Sequence, residues 1–303
     1  MQAAPSTDSR RWRSRTASRI GYAPHAMTPT KTILVTGATD GIGRETARVL
    51  GAGGARVLVH GRTPEKAARV AKELADEMGP ARDGGGSFEP VAGDFARLDE
   101  VRVLAADVVA RFAPLDALVN NAGILARARA LSADGFELTL AVNQLAPFLL
   151  THLLIDALGA GARVVFVSSN LHHSVRALDF EDLDRARGWD GYGAYADSKL
   201  MNVATAFELA RRWAARKVAV NAMHPGIIGT KLLRGGFGGM GGADVARGAA
   251  GEVKLAADPA LEGVTGEYYD QTEPSRASAA ANDRALQAKV YEVCVQRTGA
   301  KPA

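Results

Sequence analysis

The sequence predicts an α/β fold in which one doubly wound parallel sheet carries helices on both faces. Three observations predict it. Short apolar runs of strand length alternate with stretches of helical spacing from about residue 30 onward, the pattern of a sheet covered on both sides. The first run, Ile33-Leu34-Val35, ends in a glycine-rich turn, Thr36-Gly37-Ala38-Thr39-Asp40-Gly41-Ile42-Gly43, that opens a helix. No internal repeat and no second apolar core interrupts the alternation, so residues 30–303 are expected to form one domain. Right-handed crossovers then put any ligand beyond the carboxyl ends of the strands.

Each element has its own signal. Helical spacing follows the glycine turn through Leu50, and Arg56-Val57-Leu58-Val59-His60 is a second strand. Thr63 is placed to cap a helix from Pro64 to Met78, with proline at the first position and Glu65 in the first turn. A glycine-rich loop, 81–87, precedes a strand at 88–92, a helix at 98–112 and a strand at 115–119 that ends in Asn120-Asn121-Ala122-Gly123. A long helix is expected over 132–158, a strand over 162–167, and an irregular polar insertion over 170–190. Then come a helix over 192–215, a strand over 218–223, a loop with helices over 226–257, a short strand at 267–269 and a closing helix over 279–297 with Ser278 as its cap.

The chain has 303 residues, 47% hydrophobic and 23% charged, which suits a globular protein. Its net charge of +4 is concentrated at the start: Arg10, Arg11, Arg13, Arg15 and Arg19 against Asp8. The rest is neutral, which argues against nucleic acid as a partner. Residues 1–29 read as a disordered basic extension without the apolar run of a secretory signal. The longest apolar stretch, Phe136 to Leu158, is broken by Glu137, Asn143, Gln144, His152 and Asp156. It therefore reads as a buried helix rather than a membrane span, with a face that could serve a homo-oligomer. A single cysteine, Cys294, excludes an intramolecular disulfide framework and fits a reducing compartment such as the cytoplasm.

The motifs carry the chemistry. Glycines at 37, 41 and 43 let backbone amides approach a pyrophosphate, and the helix that follows favours negative charge. A carboxylate at the end of the second strand would bind the ribose hydroxyls of NAD(H); here the stretch is Val59-His60-Gly61-Arg62. Arg62 and Arg44 offer two guanidinium groups that could clamp a 2′-phosphate, so NADP(H) is favoured over NAD(H). Tyr195 and Lys199 lie four apart on a helix and share a face. A fixed positive charge ~4 Å from a phenol at an effective dielectric of ~20 contributes about 4 kcal/mol, roughly three pK units, before desolvation opposes it. Pro147 has no N–H for the carbonyl of Asn143, so the long helix should kink there and free that carbonyl for a water.

Taken together, Thr36-Gly37-x-x-x-Gly41-x-Gly43, Asp94, Asn120-Asn121-Ala122-Gly123, Asn143, Ser169, Tyr195-x-x-x-Lys199 and Pro225-Gly226 resemble the short-chain dehydrogenase/reductase family, in family order over residues 30–230. Ser198-Lys199-Leu200-x-Asn202 and Gly266-Glu267-Tyr268-Tyr269 with Pro274, Ala281 and Asp283 resemble its retinol-dehydrogenase-like branch. The resemblance implies a single Rossmann-type domain and an oxidoreductase interconverting a carbonyl and an alcohol. It implies that Thr36, Gly37, Thr39, Asp40, Gly41, Ile42 and Gly43 cradle the cofactor and that Asp94, with Phe95, meets the adenine. Asn120, Asn121, Ala122 and Gly123 would line its adenosine side, and Pro225, Gly226, Ile228 and Thr230 would close over the nicotinamide. Tyr195 would move the proton. Ser169, or its neighbour Ser168, would orient the substrate oxygen, with the family pattern favouring Ser169. Lys199 would hold the nicotinamide ribose and lower the tyrosine pKa, and Asn143 would anchor a proton relay.

The glycine run 235–242 reads as a mobile lid with Phe237 and Met240 as apolar substrate contacts, which with the insertion suggests a lipophilic small molecule. His172 and His173 lack further ligands at metal spacing, so no metal is expected, and they are placed at the substrate entrance or in the insertion. Glu181, Asp182 and Asp184 read as a solvated face.

Overall fold

The computed structural model describes residues 31–79, 86–236 and 241–302; the expected basic extension, 1–29, lies outside them. Seven strands run parallel: β1 (Thr32–Val35), β2 (Arg56–Gly61), β3 (Ser87–Ala92), β4 (Leu115–Asn120), β5 (Leu158–Val167), β6 (Ala219–His224) and β7 (Tyr268–Asp270). An eighth, β8 (Glu273–Ser275), pairs antiparallel with β7 and closes a sheet of order β3-β2-β1-β4-β5-β6-β7-β8. The sequence reading missed β8. All three of its residues are exposed and the middle one is Pro274, a residue that cannot donate to a ladder and is tolerated at an edge.

Alternation along the strands sorts the core. Leu34, Leu58, Leu118 and Phe166 face one side, against α3 (Leu98–Phe112), α5 (Ala146–Leu153), α6 (Gly191–Arg212) and α10 (Arg284–Thr298). Ile33, Val35, Val57, Val59 and Val119 face the other, against α1 (Gly41–Ala52), α2 (Pro64–Met78) and α8 (Val245–Ala257). Thr63 accepts from the Lys66 N–H as the sequence predicts, and Asp40 and Asp190 cap α1 and α6 by accepting from the Gly41 and Gly193 N–H groups. The closing helix is in fact two. Ser278 caps α9 (Ala279–Asn282), and Asp283 stops it and caps α10.

The long helix expected over 132–158 is shorter and composite. It begins as α4 (Leu138–Leu140), capped by Glu137, widens into a π-helical turn over Ala141–Leu145, and continues as α5. The Ala146 N–H reaches back to Ala141 O. The physical cause is Pro147, which removes one donor and crowds the carbonyl four residues back, so the turn opens instead of kinking sharply. The last five residues of the expected helix turn into β5, which starts at Leu158.

The apolar middle of this segment is covered within the chain itself. Residues Ala146 through His152 are buried within the chain, because α10 lies over α5: the Phe148 and Tyr291 rings meet edge-on at 5.6 Å and Arg212 stacks on Tyr291 at 3.9 Å. Phe148→Ala should cost about 3–5 kcal/mol by opening a cavity under α10, read as a lower urea midpoint at constant slope.

The insertion over 170–190 is pinned to the body. Asp184 accepts from the Glu137 N–H at 2.8 Å and pairs with Arg297 at 2.7 Å, and the Trp189 indole donates to Glu137 at 3.1 Å. Asp184 is therefore a structural anchor and not part of a solvated face. Asp182 accepts from the backbone N–H groups of Ala186 and Arg187, which closes a turn. Among the described residues no helix is long and apolar enough to cross a membrane.

Candidate active site

A cleft of about 820 Å³ opens above the carboxyl ends of the strands. It sits where the chain reverses its winding between β1 and β4, the position at which open α/β sheets take ligands. The glycine turn forms its floor. Gly37 and Gly41 hold positive φ, 64° and 55°, which a side chain would strain. A Cβ at Gly43 would lie 2.3 Å from Asn121 Nδ2 and 2.6 Å from Gly37 O. Thr36 is fully buried and does not line the cleft; its hydroxyl accepts from the Asn121 and Ala122 N–H groups at 2.9 and 3.0 Å and donates to Val119 O at 3.1 Å. Thr36 thus welds the turn to the end of β4. Asn121, Ala122 and Gly123 line the cleft, whereas Asn120 is buried beneath and donates to Thr151 at 3.0 Å.

His60 is a structural member of the site that the sequence reading passed over. The Gly37 N–H donates to its Nδ1 at 3.0 Å, so Nε2 must carry the proton that it shares with Gly93 O at 3.0 Å. Its ring stacks on Phe95 with centroids 4.7 Å apart. One neutral imidazole therefore ties β1, β2 and β3 together below the cleft. Burial holds its pKa down at about 4 from the usual 6.5. A depressed pKa means that the unfolded chain binds the proton first. The stability this contributes is complete above pH 6.5 and is lost as pH falls towards 4, on the order of 3 kcal/mol for this group. Urea midpoints measured from pH 7 to 4.5 should fall more steeply for the native chain than for His60→Gln; equal slopes would remove His60 from the account.

At the β2 end the cleft is lined by Arg62 and Lys66, with Asp94 and Phe95 opposite. Asp94 Oδ1 accepts from the Ala96 N–H at 2.9 Å, which fixes the turn after β3. Arg44 does not line the cleft. Its guanidinium is drawn to α2, paired with Glu77 and 3.9 Å from Glu73. The second cation on this wall is Lys66, in the first turn of α2 and without an ion pair among the described residues. Its signal was present as Arg62-x-x-x-Lys66, but spacing alone could not say which basic residue faces the cleft.

At the opposite end, Tyr195 and Lys199 lie on α6, which brings both into the cleft. The structure separates the two serines. Ser168 turns into the core and donates to Lys199 O at 2.8 Å, while Ser169 hydrogen-bonds the Tyr195 hydroxyl. The Lys199 ammonium is 5.5 Å from the tyrosine ring centroid and donates to Val167 O at 2.8 Å and Asn202 Oδ1 at 3.4 Å. Burial pushes the Tyr195 phenol up to about 12, against a smaller opposing effect of the Ser169 hydrogen bond. Burial pulls Lys199 down to about 8, opposed by the charge of Glu252. The expected lowering of the phenol by the ammonium is not met: desolvation of both groups dominates.

Asn143 sits on the π turn. Its side-chain oxygen accepts from the Ile124 N–H at 2.8 Å, and its amide donates to Ile124 O at 2.9 Å and Ser198 Oγ at 3.1 Å. Its backbone carbonyl, freed by Pro147, accepts from Asn202 Nδ2 at 2.8 Å. Asn202 thereby joins Lys199 to the freed carbonyl by a side-chain amide, where the sequence reading placed a water; a carbonyl retains a second lone pair.

Pro225, Gly226, Ile228 and Thr230 line the side facing the glycine turn. Thr230 Oγ1 accepts from the Leu233 N–H at 3.3 Å at the start of α7 (Lys231–Gly236). Phe237 and Met240 lie outside the described residues. His172 is buried rather than at an entrance: the Ser278 N–H donates to its Nε2 at 3.1 Å, so its Nδ1–H donates to Ser169 O at 2.7 Å. Both nitrogens are used in holding Ser169 to the cap of α9.

Comparison with known proteins shows the family of the chain. The family model described as short chain dehydrogenase covers residues 31–237. A candidate daunorubicin C-13 ketoreductase, DnrU, from Streptomyces sp. (strain C5) is 40% identical, across 91% of this chain and 95% of its own. Retinol dehydrogenase 14 of Mus musculus is 34% identical, across 87% and 84%. Among solved structures, landomycin C-6 ketoreductase LanV with bound NADP and rabelomycin superposes with a TM-score of 0.63 at 29% identity, across 82% of this chain and 96% of that one. The match in sequence extends over most of the chain, which belongs to the short-chain dehydrogenase/reductase family of oxidoreductases.

Proposed function

We propose that the protein is an NADP(H)-dependent oxidoreductase that interconverts a carbonyl and an alcohol on a lipophilic small molecule. The observation that carries the reading is Tyr195 hydrogen-bonded to Ser169 with the Lys199 ammonium one helical turn on, all three at one end of the cleft.

The cleft fits a dinucleotide. Its floor is a turn too tight for any Cβ at Gly37 or Gly43, and Arg62 and Lys66 stand at the β2 end, where the strand closes on His60-Gly61-Arg62 without a carboxylate. Residues 37–43 would hold the pyrophosphate, Arg62 and Lys66 the 2′-phosphate, Asp94 and Phe95 the adenine, and Lys199 the nicotinamide ribose. When bound, the nicotinamide supplies or accepts the hydride. The chain supplies the proton: a phenol held near 12 is protonated at neutral pH, the form that a carbonyl-reducing enzyme needs as its acid. Ser169 would orient the substrate oxygen against that phenol. Lys199, Asn202 and the Asn143 carbonyl form a buried hydrogen-bonded chain that would position the lysine, and the replacement proton would come from a solvent water bound at the carbonyl's second lone pair.

The substrate end is lined by Ile124, Leu138, Val142, Leu171, Ile227 and Leu233, which supports an apolar substrate. So do relatives named for retinol and daunorubicin. The test is NADPH consumption against a panel of hydrophobic ketones and aldehydes beside small charged ones. Turnover confined to the hydrophobic members supports the reading, and NADPH binding without turnover of any member would leave a binding module.

A further inference from the structure

The glycine turn and the segment after β6 meet across the cleft. A Cβ at Gly41 would lie 3.3 Å from Thr230 Cγ2. Beside that contact the Lys231 ammonium pairs with the Asp40 carboxylate. All four residues line the cleft. Asp40 is placed by its own chemistry: it caps α1 and accepts from the Gly41 N–H at 2.8 Å. That puts a carboxylate on the turn proposed to hold a pyrophosphate, where a like charge opposes the ligand. Lys231 is its ion-pair partner among the described residues, and a hydrogen bond to Lys231 holds the carboxyl below its usual range despite partial burial. Lys66 also acts on Asp40, at longer range.

We propose that Lys231 is a cofactor-binding residue that acts by neutralising Asp40, making the turn an anion site and tying the Pro225–Gly236 segment over it. This rests on the nucleotide reading of the cleft. Two consequences follow. Lys231 matters to affinity only while residue 40 is negative, and its effect fades with salt, because both side chains are largely exposed, 80% and 48%.

The experiment is a double-mutant cycle on the full chain, read by fluorescence titration with NADPH at low and at high ionic strength. The variants are Lys231→Gln, Asp40→Asn and the pair; asparagine still caps the helix. Lys231→Gln alone should weaken binding roughly fivefold at low salt, as for the loss of a favourable surface ion pair. In the Asp40→Asn background the same change should cost under about twofold. Equal weakening in both backgrounds, or none in either, overturns the proposal while native binding of NADPH keeps the nucleotide reading intact. No NADPH binding by the native chain overturns both.

Discussion

Tyr195→Phe is expected to lower kcat by about 10²–10⁴-fold while NADPH affinity stays within about threefold. The substitution keeps a ring that is 7% exposed and packed in the wall of the cleft, and removes only the hydroxyl bonded to Ser169. Only the proton transfer should suffer. Steady-state turnover beside a fluorescence titration separates the two effects, and a variant that turns over normally would remove Tyr195 from the chemistry. The pH profile adds a sign. With the phenol near 12, no limb from Tyr195 is expected between pH 6 and 10 in carbonyl reduction. Lys199, pulled down to about 8, should lose its charge above that pH and carry the rate down with it.

Arg62→Asp should weaken NADPH binding by about 10- to 100-fold, the scale of a lost charge-assisted hydrogen bond with a repulsion added, and should leave NADH binding nearly unchanged. Arg62 and Lys66 line the β2 end of the cleft, and Arg44 is engaged with Glu77 on α2. Lys66→Ala is therefore expected to weaken NADPH binding and Arg44→Ala to leave it near native. Titrating the three variants with both nucleotides decides the assignment. Greater sensitivity at Arg44 than at Lys66 would mean that Arg44 leaves its glutamate to meet the ligand.

The same pair of arginines marks where reading the sequence stopped. Gly43-Arg44 and Gly61-Arg62 each follow a glycine, and both looked suited to a phosphate. The difference lies in Glu73 and Glu77, farther along the chain on α2, which face Arg44 only once α1 and α2 pack on the same side of the sheet. His172 shows the same limit: two adjacent histidines past a serine say nothing of the Ser278 N–H that occupies one ring nitrogen from over a hundred residues away.

What the sequence by itself determined was local and periodic. Short apolar runs set the strands, caps and prolines set helix starts, the glycine spacing set the turn, and an i, i+4 relation put Tyr195 and Lys199 on one face of α6. Each follows from backbone sterics and helical or strand period acting within a few residues. Tertiary structure alone decided what depends on packing at a distance. It buried α5 beneath α10, turned Ser168 inward and Ser169 outward, and delivered Asn202 to the carbonyl that Pro147 had freed. It also desolvated Tyr195 and Lys199, pushing the phenol up and the ammonium down, because the cost of removing water from a group is set by everything that surrounds it.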